Sequence, residues 1–234
     1  MILCLDVGNT SIKYGRFRDG RRLDGGRLAL EESLAGLPEA DEAAAVSVRP
    51  EALARVRAHL PKLRVLGEEL PMPLAVHYDP PEACGADRVA GVFGALAREE
   101  GAEAVLLLDA GTCLTATVAV RGVGVLGGAI LPGIALMARA LNEGTARLPL
   151  VAIEAPRHFL GRTTEESIRS GLHCAQVGAA RELIARMRKE CPRPARVVAA
   201  GSGAGALAAA LPEIDAVHLH ATLWGVYLAV LAAG

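Results

Sequence analysis

The feature that most constrains this chain is a short element that occurs twice. Residues 1–5 form an apolar run that leads into Asp6-Val7-Gly8-Asn9-Thr10. Residues 104–108 form a second apolar run, leading into Asp109-Ala110-Gly111-Thr112. The aspartates stand 103 positions apart (109 − 6). An unbroken apolar run bounded by turn residues predicts a strand buried on both faces. Each copy is followed by further strand patterns, so the repeat predicts two α/β halves, residues 1–103 and 104–234, with a cleft between them. The last helix is expected to pack back on the first half.

Periodicity fills in the rest. Residues 11–17 and a segment running to Leu30 read as strands joined at Asp19-Gly20, a turn signal. Another strand is predicted over 43–48. Pro50 then opens a helix to Leu60, as proline suits a first helical turn. Short strands are expected over 63–66 and 74–77. Val89, Val92, Phe93 and Leu96 fall at i, i+3, i+4 and i+7, which marks an amphipathic helix over 86–100. In the second half, strands are expected over 112–120, 123–130 and 196–200. Helices are expected over 133–143, from 163 toward 188, from 206, and over 221–231. Thr163 and Glu166 have the spacing of a capping box. Ile168, Leu172, Leu183 and Met187 are the expected inward positions of that long helix.

Composition excludes several classes. The net charge of -1 and the even mix of 25 basic and 26 acidic residues argue against a nucleic-acid binder. The arginines between 16 and 27 alternate with Asp and Gly and read as solvated hairpin surface. Five scattered cysteines, none in a CxxC pair, argue against a disulfide framework or zinc site and for a reducing compartment. The apolar ends are shorter than the roughly 20 residues of a membrane span. A cytoplasmic protein without a membrane or nucleic-acid partner is expected.

Three constellations carry chemistry. A carboxylate at the end of a rigid strand can hold a hard cation. The glycine behind it lets backbone approach a ligand, and the following hydroxyls and N–H groups suit phosphate oxygens. Lys13 is close enough in sequence to neutralise phosphate charge. The alternative for each copy is an ordinary Asp-Gly turn, and for Lys13 a solvated strand lysine. The second constellation is Gly85-Ala86-Asp87-Arg88 at a helix start. There Asp87 can accept a hydroxyl proton and Arg88 can clamp a carboxylate. The alternative is an acidic residue placed by the helix dipole alone. The third is the glycine loop 201–205 between a strand and a helix, suited to nucleotide contact or simply to a flexible helix entry. His77, His158, His173, His218 and His220 show no metal-ligand spacing, and His218 and His220 alternate as strand residues do. Trp224 and Tyr227 read as packing residues.

Taken in order, these motifs resemble the type III pantothenate kinases of the actin-like and sugar-kinase superfamily. Asp6 through Lys13 resembles the first phosphate loop, and Asp109-Ala110-Gly111-Thr112 the second. Tyr78 with Gly85-Ala86-Asp87-Arg88 resembles the pantothenate-binding segment. Gly127-Gly128-Ala129-Ile130-Leu131-Pro132-Gly133, Thr145-Ala146-Arg147-Leu148-Pro149, and Thr164 seven before Gly171 complete the match. The chain departs from the family at Cys113, where alanine is usual, and at Ala200-Gly201-Ser202-Gly203, where T-G-G is common.

The resemblance implies an α/β fold of two RNase H-like (actin-like ATPase) halves, each a mixed sheet flanked by helices. It implies transfer of the γ-phosphoryl group of ATP to pantothenate. Asp6, Val7, Gly8, Asn9, Thr10, Ser11, Ile12, Lys13 and Thr112 would bind ATP, which arrives with Mg²⁺. Asp87 would be the proton acceptor. Tyr78, Gly85, Ala86, Asp87, Arg88 and Thr164 would contact pantothenate, Thr164 across a homodimer interface. Asp109 would hold a monovalent cation, K⁺ or NH₄⁺. Two other readings stay open: a sugar-type kinase of the same superfamily, and a non-catalytic transcription-accessory relative.

Overall fold

A computed structural model describes all residues, 1–234. The contacts divide it into two compact units. The first is Met1–Gly101 with Ala119–Gly127 and His220–Gly234, and the second is Ala102–Val118 with Gly128–Leu219. Neither is a single run of chain. No helix is long and apolar enough to cross a membrane.

The first unit is built on β1 (Ile2–Val7), β2 (Ser11–Arg18), β3 (Arg21–Ala29), β4 (Glu42–Ser47) and β5 (Arg64–Val65), in the order β3-β2-β1-β4-β5. β1 is antiparallel to β2 and parallel to β4, so the sheet is mixed. All six residues of β1 are buried, as its apolar run requires. Alternation then sorts its side chains: Leu3, Leu5 and Val7 pack in one core cluster, and Ile2 and Cys4 in another. The first cluster is covered by α1 (Pro50–His59), through Ala52, Leu53 and Val56. The second is covered by α2 (Ala86–Arg98) and, below, the C-terminal helix.

The second unit is built on the sheet β10-β9-β6-β7-β8, of which Ala119–Val120 and Gly124–Gly127 fall in the first unit. Its strands are β6 (Ala104–Ala110), β7 (Cys113–Val120), β8 (Gly124–Pro132), β9 (Ala195–Ala200) and β10 (Ala216–Val217). β6 runs parallel to β9, with Leu106 opposite Val197 and Asp109 opposite Ala200. Its helices are α3 (Ile134–Glu143), α4 (Thr164–Glu190) and α5 (Ala204–Ala210). The capping box forms: Thr163 accepts from the Glu166 N–H, and the Glu166 carboxylate accepts from the Thr163 N–H.

The final helix, α6 (Ala221–Ala233), belongs to the first unit. It crosses α2 at glycines. A β-carbon on Gly225 would lie 1.8 Å from the Ala90 carbonyl oxygen, and one on Gly94 would lie 2.1 Å from that of Ala221. Only hydrogen fits at this crossing. The other side of α6 carries much of the protein's sparse aromatic content. Tyr227 stacks on Phe17 with centroids 4.9 Å apart, and Trp224 meets Phe17 edge-on at 5.0 Å. The Gly20 N–H donates to the Tyr227 hydroxyl, tying the β2–β3 turn to the helix.

Four local expectations are corrected. On α4 the buried positions are Ser170 and a stripe spaced by four, Ile168, Leu172, Gln176, Ala180 and Ile184, while Leu183 and Met187 are only half-buried. Residues 74–77 form one bridge, Val76 to Val125, rather than a strand, with the His77 N–H donating to the Val125 carbonyl and the Val125 N–H to the Ala75 carbonyl. The strand before His218 is only two residues long, and His220 is the N-cap of α6. The helix after the glycine loop begins at Ala204 rather than Ala206.

Candidate active site

β1 and β2 are joined by a turn in which the Gly8 N–H donates to the Ser11 carbonyl at 3.1 Å. The register sets Asp6 directly opposite Lys13 and Val7 opposite Ile12. Neighbouring positions on a strand face opposite sides, so this hairpin has two faces. Asp6 and Lys13 share one and form an ion pair at 3.3 Å. Val7 and Ile12 share the other and are fully buried in core. Among the residues that resemble a phosphate loop, Val7 and Ile12 therefore have only backbone to offer a ligand. Asn9 and Thr10 are exposed at the turn, Gly8 is half-buried and Ser11 is buried.

The second copy repeats the turn with one residue fewer. The Gly111 N–H donates to the Cys113 carbonyl at 2.9 Å. In both copies the glycine N–H reaches the residue after the threonine, and the second copy has no counterpart of Asn9. Two further segments of this unit pack against it. The Gly133 N–H donates to the Thr112 carbonyl at 3.0 Å, and the Gly203 N–H donates to the Ala110 carbonyl at 2.9 Å. A β-carbon on Gly201 would lie 2.3 Å from Asp109 Oδ1, and the residue has φ +82°, so glycine is required there twice over. Asp109 is half-buried at the end of β6. Thr164 is the first residue of α4 and is exposed. The same unit has a cavity of about 760 Å³ whose lining includes Gly203, Leu207, Val177 and Phe159.

In the first unit, α2 starts where Asp87 and Arg88 can be held tightly. Asp87 Oδ1 accepts from the Arg88 N–H at 2.9 Å. A β-carbon on Gly85 would lie 2.5 Å from that oxygen, so glycine makes room for the folded-back carboxylate. Burial pushes the Asp87 carboxyl above its ordinary range, and the negative charge of Asp6 adds to the shift. The Arg88 N–H and guanidinium offset part of it. Arg88 is buried, and its Nη1 donates to the Tyr78 hydroxyl at 2.8 Å while the guanidinium lies over the Tyr78 ring. Tyr78 is positioned in turn by the segment before it. The His77 N–H donates to Val125 and the Val125 N–H donates to Ala75. Gly124 permits this at φ +125°, since a β-carbon there would meet the Ala75 oxygen at 2.3 Å.

The structure thus gathers Asp6, Lys13, Tyr78, Gly85, Ala86, Asp87 and Arg88 in one unit. Asp109, Thr112 and Thr164 lie in the other. Two residues of the first unit escaped the sequence reading. Arg22 is half-buried rather than solvated, and its Nε is buried without an acceptor. The signal was Gly25-Gly26 in β3, since glycine in a strand marks close approach by another group. His220 lies at the start of α6, where burial and then the charges of Arg22 and Lys13 push its pKa down. No three or more His, Cys, Asp or Glu side chains gather in one place.

Comparison with known proteins gives this geometry a family. The family model described as type III pantothenate kinase matches residues 2–186. A type III pantothenate kinase from Persephonella marina is 31% identical, over 97% of this chain and 97% of that protein. One from Nitratidesulfovibrio vulgaris is 34% identical, over 98% of this chain and 97% of that protein. The fold is also that of a Sinorhizobium meliloti protein assigned as a 2-dehydro-3-deoxygalactonokinase, with a TM-score of 0.64 at 14% identity, covering 100% of this chain and 99% of that one. The two mixed sheets are accordingly those of the actin-like and sugar-kinase fold. A family model that spans most of the chain, together with relatives matched over nearly its full length, shows that this chain belongs to the type III pantothenate kinase family.

Proposed function

We propose that this chain transfers the γ-phosphoryl group of ATP to the 4′-hydroxyl of pantothenate, the first step toward coenzyme A. Family membership supports the reaction. One observation carries the chemistry: a buried carboxylate with a raised pKa, Asp87, sits beside a buried arginine that is held by a tyrosine. A general base works best when its pKa lies near the working pH, and burial moves Asp87 in that direction. Asp87 takes the proton of the attacking hydroxyl. Arg88, oriented by Tyr78, clamps the pantothenate carboxylate in the two-pronged manner of a guanidinium. Gly85 and Ala86 bring backbone close to the same substrate, and Thr164 touches it from a second copy of the chain.

Phosphoryl transfer needs alignment and charge neutralisation more than covalent chemistry. The turn from Asp6 to Lys13 supplies N–H groups, hydroxyls and the Lys13 ammonium for the phosphates, and Thr112 supplies another hydroxyl. The adenosine belongs beside the Gly201–Gly203 loop, in whose neighbourhood the apolar cavity lies. Mg²⁺ fits as an ion carried by the nucleotide, because such sites take one or two carboxylates plus phosphate oxygens, and Asp6 is the carboxylate at hand. When bound, it offsets the charge of the β- and γ-oxygens. A monovalent cation fits Asp109, a half-buried carboxylate at the end of β6 near the Ala110 carbonyl oxygen. The pairing of two copies is supported by exposed apolar side chains ahead of α4: Leu150, Ile153, Phe159 and Leu160, the last 82% exposed. A cytoplasmic location completes the reading.

A panel of acceptors assayed with ATP and Mg²⁺ tests the substrate. Pantothenate is expected to be the acceptor that is phosphorylated. Turnover of a sugar without turnover of pantothenate would replace this reading with the sugar-kinase one.

A further inference from the structure

Arg22 lies in a bed made for it. It stands opposite Phe17 in the β2–β3 register, and Gly15 stands opposite Gly25 two positions nearer Lys13. A β-carbon on Gly25 would lie 2.3 Å from Arg22 Nη2, and one on Gly15 would lie 3.0 Å from its Nε. The side chain therefore runs along the sheet over two glycines, toward Lys13. Its Nε is buried and has no hydrogen-bond partner. A buried donor left without an acceptor is costly and calls for an explanation in water or an anion. The neighbouring carboxylates are engaged elsewhere. Both oxygens of Asp24 accept from Arg16, and Asp6 pairs with Lys13.

α6 closes this face of the sheet. Tyr227 rests on Phe17, and His220 lies seven residues earlier on the same side of the helix, about 10 Å back along it. Lys13 is four residues from Phe17, about 13 Å along β2. The Tyr227 hydroxyl meets the Gly20 N–H, beyond Phe17 from Lys13, so the first turn of α6 points back toward the Lys13 end of β2, and no side chain caps that turn. The lowered pKa of His220, in which Arg22 and Lys13 both act, agrees with this placement.

We propose that Arg22 and Lys13 form a phosphate-binding subsite on the α6-covered face of the first sheet, taking phosphoryl oxygens of a polyphosphate. A planar guanidinium beside an ammonium suits a chain of phosphoryl groups better than it suits one carboxylate. The assignment of those groups to the nucleotide rests on the kinase reading above. The subsite itself does not, because free inorganic phosphate presents the same chemistry.

The protein carries its own reporter. Trp224 is the sole tryptophan, one turn beyond His220 and packed on Phe17. Its fluorescence is followed while the protein is titrated with tripolyphosphate and, separately, with inorganic phosphate. The wild type is expected to show a saturable change, with affinity at least tenfold weaker in Arg22→Met. If the KM for ATP rises with it and the KM for pantothenate does not, the subsite holds the nucleotide. If anion binding weakens while the KM for ATP is unchanged, it holds free phosphate. Either result supports the oxyanion subsite. No saturable change in the wild type, or equal affinity in Arg22→Met, overturns it. Should that variant not fold, Arg22→Lys replaces it. This variant keeps the charge without the planar fork and is expected to bind at least threefold more weakly, with equal affinity again overturning the proposal. The kinase reading fails separately, if the wild type releases no ADP in the presence of pantothenate.

Discussion

Asp87 is held where two influences oppose its ionisation, burial first and the Asp6 charge second. Both act on activity and on stability, with opposite consequences. The proposed base role requires the ionised form, so the acid limb of kcat/KM is expected above the ordinary aspartate value of 3.8. Removing the Asp6 charge in Asp6→Asn is expected to move the limb of the residual activity downward. A limb that stays put would remove Asp6 from the cause. For stability the sign reverses. A carboxyl whose folded-state pKa is raised favours folding in its protonated form. Its contribution is present below the ordinary value and is lost as pH rises through the raised one. Asp87→Asn is therefore expected to lower kcat about 100-fold or more while leaving Tm near neutral pH equal or higher. Near-normal turnover at saturating substrates would defeat the assignment of Asp87 as base.

At the scale of elements, the middle of α2 is held against α6 where Ala90 and Gly94 meet Gly225 and Ala221. Replacing a helical glycine with alanine gains up to about 1 kcal/mol in propensity. Overpacking costs about 1–3 kcal/mol. At Gly225 the clash is with backbone at 1.8 Å, so the second effect is expected to win and Gly225→Ala to lower the urea midpoint. An unchanged midpoint would show that the helices can separate freely. Nothing in the sequence marks this crossing, because a glycine in an apolar helix looks alike wherever it points. The strands were legible for the opposite reason. β1 and β6 are buried on both faces and read as unbroken apolar runs. α4 misled because its buried stripe keeps a spacing of four and passes through Gln176, so composition pointed to Leu183 and Met187 instead. Arg22 is not legible as a half-buried residue, because a run of arginines looks solvated until Gly15 and Gly25 are placed under its side chain.

At the scale of the whole molecule, one motif used twice organises each unit, and the copies are not equivalent. Asp6 faces Lys13 across its hairpin, whereas the position matching Lys13 in the second copy, counted from the shortened turn, is Thr115. A carboxylate without that lysine suits a cation, so replacing K⁺ by Na⁺ at constant ionic strength is expected to lower the steady-state rate. Indifference would count against Asp109 as its ligand. The kinase motifs were readable because phosphate chemistry demands particular residues at fixed spacing. The link from Tyr78 to Arg88 was not, since it depends on how residues 75–77 pair with Val125. The most direct test of the account is ADP release by the wild-type protein with and without pantothenate, with the product identified by phosphorus NMR. Release is expected to depend on pantothenate, with one ADP for each phosphomonoester formed on its primary hydroxyl. ADP release indifferent to pantothenate, with no such ester formed, would contradict it.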